Sequence, residues 1–376
     1  MMNKTTPRNA RARRRTRAGA LLFLLPLLLL AVPAAPCQEG RLVREKVHGA
    51  SLENNVTGEA TDRNVSVYLP PGYDGAHGKR YPVVYLLHGI GGTDRDFTSA
   101  WRNQTDAWGT IRGLMNNGVA EGRFGEMIIV MPDQRTKMMG SFYTNSAATG
   151  NWEDFTAKDL VGYMDRRYRT LARAESRGLA GHSMGGHGAI KVGMKHPDVF
   201  SVVYAMNPAV LGWGVDISPE NPAFVAAFRM TTLEEVMRGG FYSIGALCVA
   251  QAFSPNPQRA PFYADLPYKF VDGKLRPVEP AYTKWTQNMP LHMAAGYKAN
   301  LLRLRGLRFD TGWEDEFTHI PPTTRAFARR LTELGVEHTF EEYNGDHRNR
   351  MWGRTGRLYT EVLPYFWLLL DSRDGR

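Results

Sequence analysis

Apolar and polar positions alternate along this chain in two rhythms. Val65-Ser66-Val67-Tyr68-Leu69 has the two-residue period of a half-buried strand, and Pro70-Pro71-Gly72 ends it in a turn. Val83 to Leu87 is an unbroken β-branched and apolar run, the pattern of a strand covered on both faces. Met127 to Met131 repeats that pattern and stops at Pro132. The second rhythm is helical. Phe155, Leu160, Tyr163, Met164 and Tyr168 place an apolar stripe on a helix over 153–169. Further along, strands are predicted over 177–180, 200–205, 307–310 and 338–343. Helices are predicted over 184–196, 294–304, 322–334 and 356–370. Strand and helix taken in turn are the signature of βαβ units, so the fold class is α/β with a mostly parallel central sheet flanked by helices.

Two stretches depart from these rhythms. Residues 208–293 carry Pro, Met, Trp, Phe and Tyr without clean periodicity. An insertion of that length in an α/β domain reads as a lid or cap. The other is the N-terminus. Residues 1–20 hold seven basic side chains (Lys4, Arg8, Arg11, Arg13, Arg14, Arg15, Arg17) and no acidic one. An apolar run from Ala20 to Val32 follows, broken by Pro26, and then the small residues around Ala34. Basic, apolar and small-residue segments in that order predict a secretory signal peptide over 1–34, cleaved near Ala34. The mature chain, 35–376, is then expected as one domain, exported to a periplasmic or secreted location and without a stable membrane span. Cys37 follows Pro36, where a lipoprotein would carry Gly or Ala. Cys37 and Cys248, the two cysteines of the chain, are expected as free thiols.

Charge changes the picture little. The formal net charge is +10 from 47 basic and 37 acidic residues. Setting aside the seven basic residues of the leader leaves 40 against 37, too even a balance for a surface that tracks nucleic acid. The 376 residues are 43% hydrophobic, which excludes a disordered chain and a polytopic membrane protein. No Cys/His group has zinc spacing, so no metal or other cofactor is implied.

The chemistry is concentrated at Gly181-His182-Ser183-Met184-Gly185, a G-x-S-x-G pattern. It lies between a predicted strand and a predicted helix, the context of a nucleophile elbow. Such a turn lifts the serine Oγ above the sheet, and the helix start offers the Met184 amide to an oxyanion. A serine nucleophile needs a base. Of ten histidines, His347 in Asn344-Gly345-Asp346-His347 follows the last predicted strand, at the same sheet edge as Ser183. The orienting carboxylate falls between them in chain order. Asp310, Glu314, Asp315 and Glu316 all follow the penultimate strand, and spacing alone does not choose among them. A second oxyanion donor is expected after the strand 83–87, in His88-Gly89-Ile90-Gly91-Gly92. The Ile90 amide is the candidate, with Gly91 behind it.

At these residues the chain resembles the esterase D-like esterases of the α/β-hydrolase superfamily. That group includes S-formylglutathione hydrolases, feruloyl and acetyl-xylan esterases and mycolyltransferases. The resemblance spans Val65 to Tyr365. It rests on Tyr81 to Gly89, Ser141-Phe142-Tyr143, Trp152-Glu153, Gly181 to Gly186, His196-Pro197, Phe200 and Gly345-Asp346-His347. It favours Asp315, which stands before Glu316-Phe317 as the family's acid stands before a residue and a Phe. It also supports Ile90 as an oxyanion donor, and it sets Phe142, Tyr143 and Trp152 beside the substrate. The expected activity is that of an exported serine carboxylesterase acting on a small-molecule or carbohydrate-linked ester through an acyl-enzyme. Two alternatives stand beside it: an acyltransferase that passes the acyl group to a sugar or lipid alcohol, and a binding protein on a hydrolase fold. The insertion 208–293 departs from compact members of the family.

Overall fold

The computed structural model describes residues 39–100 and 104–373. The predicted leader and Cys37 lie outside them. The central sheet has eight strands: β1 (Arg41–His48), β2 (Asp62–Leu69), β3 (Val83–Leu87), β4 (Ile128–Pro132), β5 (Arg177–His182), β6 (Val202–Met206), β7 (Gly306–Gly312) and β8 (Thr339–Tyr343). Their spatial order is β1-β2-β4-β3-β5-β6-β7-β8. β2 runs antiparallel to both β1 and β4, and every other neighbouring pair is parallel. This is the arrangement of an α/β-hydrolase.

The pleat of β3 shows why its apolar run is unbroken. Val83, Tyr85 and Leu87 enter one core, while Val84 and Leu86 enter a second core on the opposite face. The first core lies under the helix Met184–Lys195 and the segment 152–167. The second lies under the helices Ile111–Ala120 and Leu363–Leu369. The stretch 152–167 is continuous helical backbone with a π-turn over Phe155–Leu160.

One expectation is corrected. The helix predicted over 294–304 is reduced to Lys298–Leu301, ending in Leu302-Arg303 turns that lead straight to β7. The edge strand β1 and the helix Ile111–Ala120 carry no sequence prediction. β1 is mostly solvent-exposed, so it lacks an apolar row, and the helix is diluted by Gly113, Gly118 and two asparagines.

Within 208–293 the chain forms short helices Pro222–Ala227 and Leu233–Arg238, a longer helix Phe241–Phe253, a hairpin Tyr268–Val271/Lys274–Pro277 and the helix Ala281–Asn288. Trp213 stacks on Tyr282 and Trp285, nearly parallel to both. Two polar ties hold this segment to the sheet's own helices. The Lys191 ammonium donates to Thr144 Oγ1 at 2.8 Å and to Asn288 Oδ1 at 2.7 Å, and Asp216 accepts from His319.

Candidate active site

Ser183 sits in the one-residue turn between β5 and the helix Met184–Lys195, with φ 59° and ψ −118°. That backbone region is strained for an L-residue, at a cost of roughly 1–3 kcal/mol. It persists because the turn is strapped from both sides. The Ser183 amide donates to the Met206 carbonyl at 3.0 Å, and the Ser183 carbonyl accepts from Ala209 at 3.0 Å. The flanking glycines are required by close approach. A Cβ on Gly181 would overlap the Gly185 carbonyl, and one on Gly185 would overlap the Leu87 carbonyl.

His347 follows β8 on a loop, and its ring is buried. Its Nδ1 is 2.7 Å from Asp315 Oδ2, while Asp315 Oδ1 accepts the Phe317 amide at 2.9 Å. The loop is fixed beside the elbow by its backbone. The His347 carbonyl accepts from His182 Nε2 at 2.7 Å and from Asn207 Nδ2 at 3.1 Å. The rings of His182 and His347 are 4.6 Å apart. Asn207 Oδ1 also accepts the Gly312 amide at 2.8 Å, so one side chain braces both loops. Among the described residues His347 Nε2 has no hydrogen-bond partner. Burial, then the Arg348 charge, drive the imidazole below its ordinary pKa. A neutral ring that donates Nδ1–H to Asp315 keeps its lone pair on Nε2.

Of the remaining carboxylates, two have other partners. Asp310 accepts from Tyr204 Oη at 2.7 Å and from Arg357 Nε at 2.8 Å, inside the second core. Glu316 accepts the His347 amide at 3.2 Å. Glu314 is exposed.

The loop after β3 reaches over the elbow. Gly89 packs against Ser183, where an added Cβ would stand 3.3 Å from the serine Cβ. The Gly91 amide is taken by the Met139 carbonyl at 2.7 Å, which removes it as a reserve oxyanion donor. Among the described residues the Ile90 amide has no acceptor, and the Met184 amide opens its helix without one. Ile90 and Ser183 line two cavities that meet at the serine. One, of about 60 Å³, is walled by Met184, Phe142 and residues of the insertion, notably Phe224, Phe241, Ala246 and Val249. The other, of about 70 Å³, is edged by His182, Asp96 and Arg348 with Trp352. Phe317 borders both, its ring edge-on to His347 at 4.8 Å.

Of the three predicted substrate-side aromatics, only Phe142 lines a cavity. Tyr143 is corrected to a supporting role. Its ring is buried and its hydroxyl donates to the His88 carbonyl at 2.8 Å, behind the loop that follows β3. Trp152 is also buried away from the cavities, donating from Nε1 to the Thr149 carbonyl under the Arg63 guanidinium. Among the described residues no cluster of three or more His, Cys, Asp or Glu could hold a metal ion, and no helix is long and apolar enough to cross a membrane.

The profile of the family described as "Putative esterase" matches residues 59–355. The chain belongs to that esterase family. An esterase of Mycobacterium tuberculosis is 38% identical over 290 residues, covering 75% of this chain and 52% of the relative. The chain thus spans about half the length of that curated relative. Among solved structures, a ferulic acid esterase superposes with a TM-score of 0.61 at 20% identity, over 88% of this chain and 99% of that one. An S-formylglutathione hydrolase from Agrobacterium tumefaciens gives 0.56 at 16% identity, over 89% and 97%. At such identities these likenesses establish the fold.

Proposed function

We propose that this esterase-family chain is a serine carboxylesterase. The observation that carries the reading is Ser183 on a strained elbow where two cavities meet, beside a buried His347–Asp315 pair. Ser183 Oγ attacks the ester carbonyl while His347 Nε2 accepts its proton. The amides of Ile90 and Met184 hold the oxyanion, and the dipole of the helix Met184–Lys195 supports them. Collapse of the tetrahedral adduct breaks the C–O bond, and His347 returns the proton to the departing alcohol. Water then attacks the acyl carbonyl while His347 Nε2 takes its proton; breaking the acyl–Oγ bond returns that proton to Ser183 and releases the acid. Asp315 keeps the imidazole in the tautomer that leaves Nε2 free, and it stabilises the imidazolium formed in each half-reaction.

The two cavities match the two halves of an ester. The apolar one, next to Met184, takes the acyl group. The polar one, next to His182 and Arg348, takes the alcohol, which must leave on the side of His347. The insertion over 208–293 is the wall of the acyl cavity and acts as its lid, on a single domain. The basic, apolar and small-residue leader supports export, with cleavage near Ala34.

The test is hydrolysis of p-nitrophenyl esters from acetate to long chain, by residues 35–376 beside the Ser183→Ala variant. The reading expects turnover that vanishes in the variant. A folded wild type that turns over none of them would overturn it.

A further inference from the structure

The loop between β7 and the helix Ile320–Leu334 presents two acid–imidazole pairs, and the proposed mechanism uses one. Asp315 faces His347. Four residues on, His319 faces Asp216 of the insertion, with its Nδ1 2.9 and 3.0 Å from the two carboxylate oxygens. Asp216 Oδ2 also accepts from Tyr242 Oη at 3.2 Å. His319 is 5% exposed and Asp216 6%. His319 and Tyr242 both line the apolar cavity at Ser183, whereas Asp216 does not. Nδ1 is spent on Asp216, and Nε2 is buried with no hydrogen-bond partner.

We infer that the acyl cavity reads a hydroxyl on the acyl group, through His319 Nε2 held in place by Asp216. The inference rests on the esterase reading and names the substrate class of that site, a hydroxyacyl ester. The chemistry of the ring selects the group. With Nδ1–H donated to Asp216, the neutral imidazole has one acceptor at Nε2. If the ring is protonated, Nε2 becomes a donor beside a carboxylate that already balances its charge. A hydroxyl satisfies both states, since it can donate to the first and accept from the second. A carbonyl satisfies only the second, and a methylene satisfies neither. The cavity that His319 lines is otherwise walled largely by apolar side chains, among them Phe224, Ala246, Val249 and Trp285, so a hydroxyl has few other partners there. A single oriented polar atom in an apolar pocket fixes ligand register and penalises an analogue that leaves it unpaired. His319 is thus a substrate-binding residue and Asp216 a positioning residue, the latter acting through the tautomer and ring orientation of His319.

The test compares kcat/KM for ethyl esters of hexanoate, octanoate and decanoate with their 3-hydroxy and terminal-hydroxy counterparts, by pH-stat titration. The wild type is expected to prefer at least one hydroxy position by about 10-fold or more. In His319→Phe that ratio should fall to about one or below, and His319→Gln, which keeps a polar atom near Nε2, should retain part of it. A purely structural tie between His319 and Asp216 would lower both members of each pair together and leave the ratio unmoved. Turnover of the plain esters with no preference at any position would overturn the inference while leaving the esterase reading intact. So would a preference that survives in His319→Phe. If His319→Phe does not fold, the wild-type panel and His319→Gln decide. A folded wild type that hydrolyses no ester in the panel would overturn the esterase reading and this inference with it.

Discussion

His347 Nδ1 stands 2.7 Å from Asp315 Oδ2, with both side chains shut off from solvent. In that setting the carboxylate does two things water would otherwise do badly. It fixes which ring nitrogen carries the proton, and it faces the positive charge that develops when Ser183 is deprotonated. Replacing Asp315 by Asn keeps the shape and presents an amide that can favour the wrong tautomer. The expected result is a fall of about 10³–10⁴-fold in kcat with KM little changed, read from steady-state kinetics. A loss of less than tenfold would contradict Asp315 as the orienting carboxylate.

The acyl cavity gives a steric prediction. Ala246 lies on the helix Phe241–Phe253 and faces the cavity. Ala246→Phe fills space where a chain of several carbons would lie. The kcat/KM for octanoyl and longer esters is expected to drop at least about tenfold relative to acetyl esters, moving the chain-length optimum down. An unchanged optimum would assign the acyl group to the polar cavity.

Arg348 sets a pH prediction. After burial, its charge is the largest influence holding the His347 pKa down. Removing it in Arg348→Gln makes His347 easier to protonate, so the acid limb of kcat/KM should move to higher pH. Its side chain is 43% exposed, so solvent screens the effect to about a few tenths of a unit, and added salt should shrink it further. A shift to lower pH would contradict the assignment of His347 as the base.

Lys191 carries a prediction about stability. Burial lowers its pKa to about 7 from 10.5. Between those values the unfolded chain binds more protons than the folded one, so stability rises with pH across that window and falls as pH drops toward 7. Lys191→Met removes the titration. Denaturant unfolding at pH 7.5 and 9.5 should show the wild type gaining on the variant as pH rises, by up to about 1.4 kcal/mol per unit. Parallel pH dependences would mean that the bonds to Thr144 and Asn288 keep Lys191 charged in the fold.

What was legible in the sequence follows from how locally each feature is encoded. β3 and the elbow are written in contiguous residues, since a doubly covered strand must be apolar throughout and the tight turn needs Gly181 and Gly185. Asp315 was one of four nearby carboxylates. Spacing could not separate them, because the choice is made by how the loop after β7 folds back onto β8, and it took the family resemblance to point to Asp315. The cavity wall was hidden for another reason. The helix Phe241–Phe253 is apolar on nearly every side, so it has no polar face to mark its period. Tyr143 and Trp152 looked like pocket aromatics because type and neighbourhood do not reveal burial. Asn207 and the Asp216–His319 pair left no signal. Their partners are joined only by tertiary folding, 105 residues apart for Asn207 and Gly312 and 103 for Asp216 and His319.

The central claim is that Ser183 carries the acyl group. The most direct measurement is intact-protein and peptide mass spectrometry after rapid acid quench of the enzyme with a p-nitrophenyl ester. The account predicts a mass increase equal to one acyl group, located on the peptide containing Ser183 and absent from Ser183→Ala. An acyl adduct on another residue, or full turnover by Ser183→Ala, would contradict it.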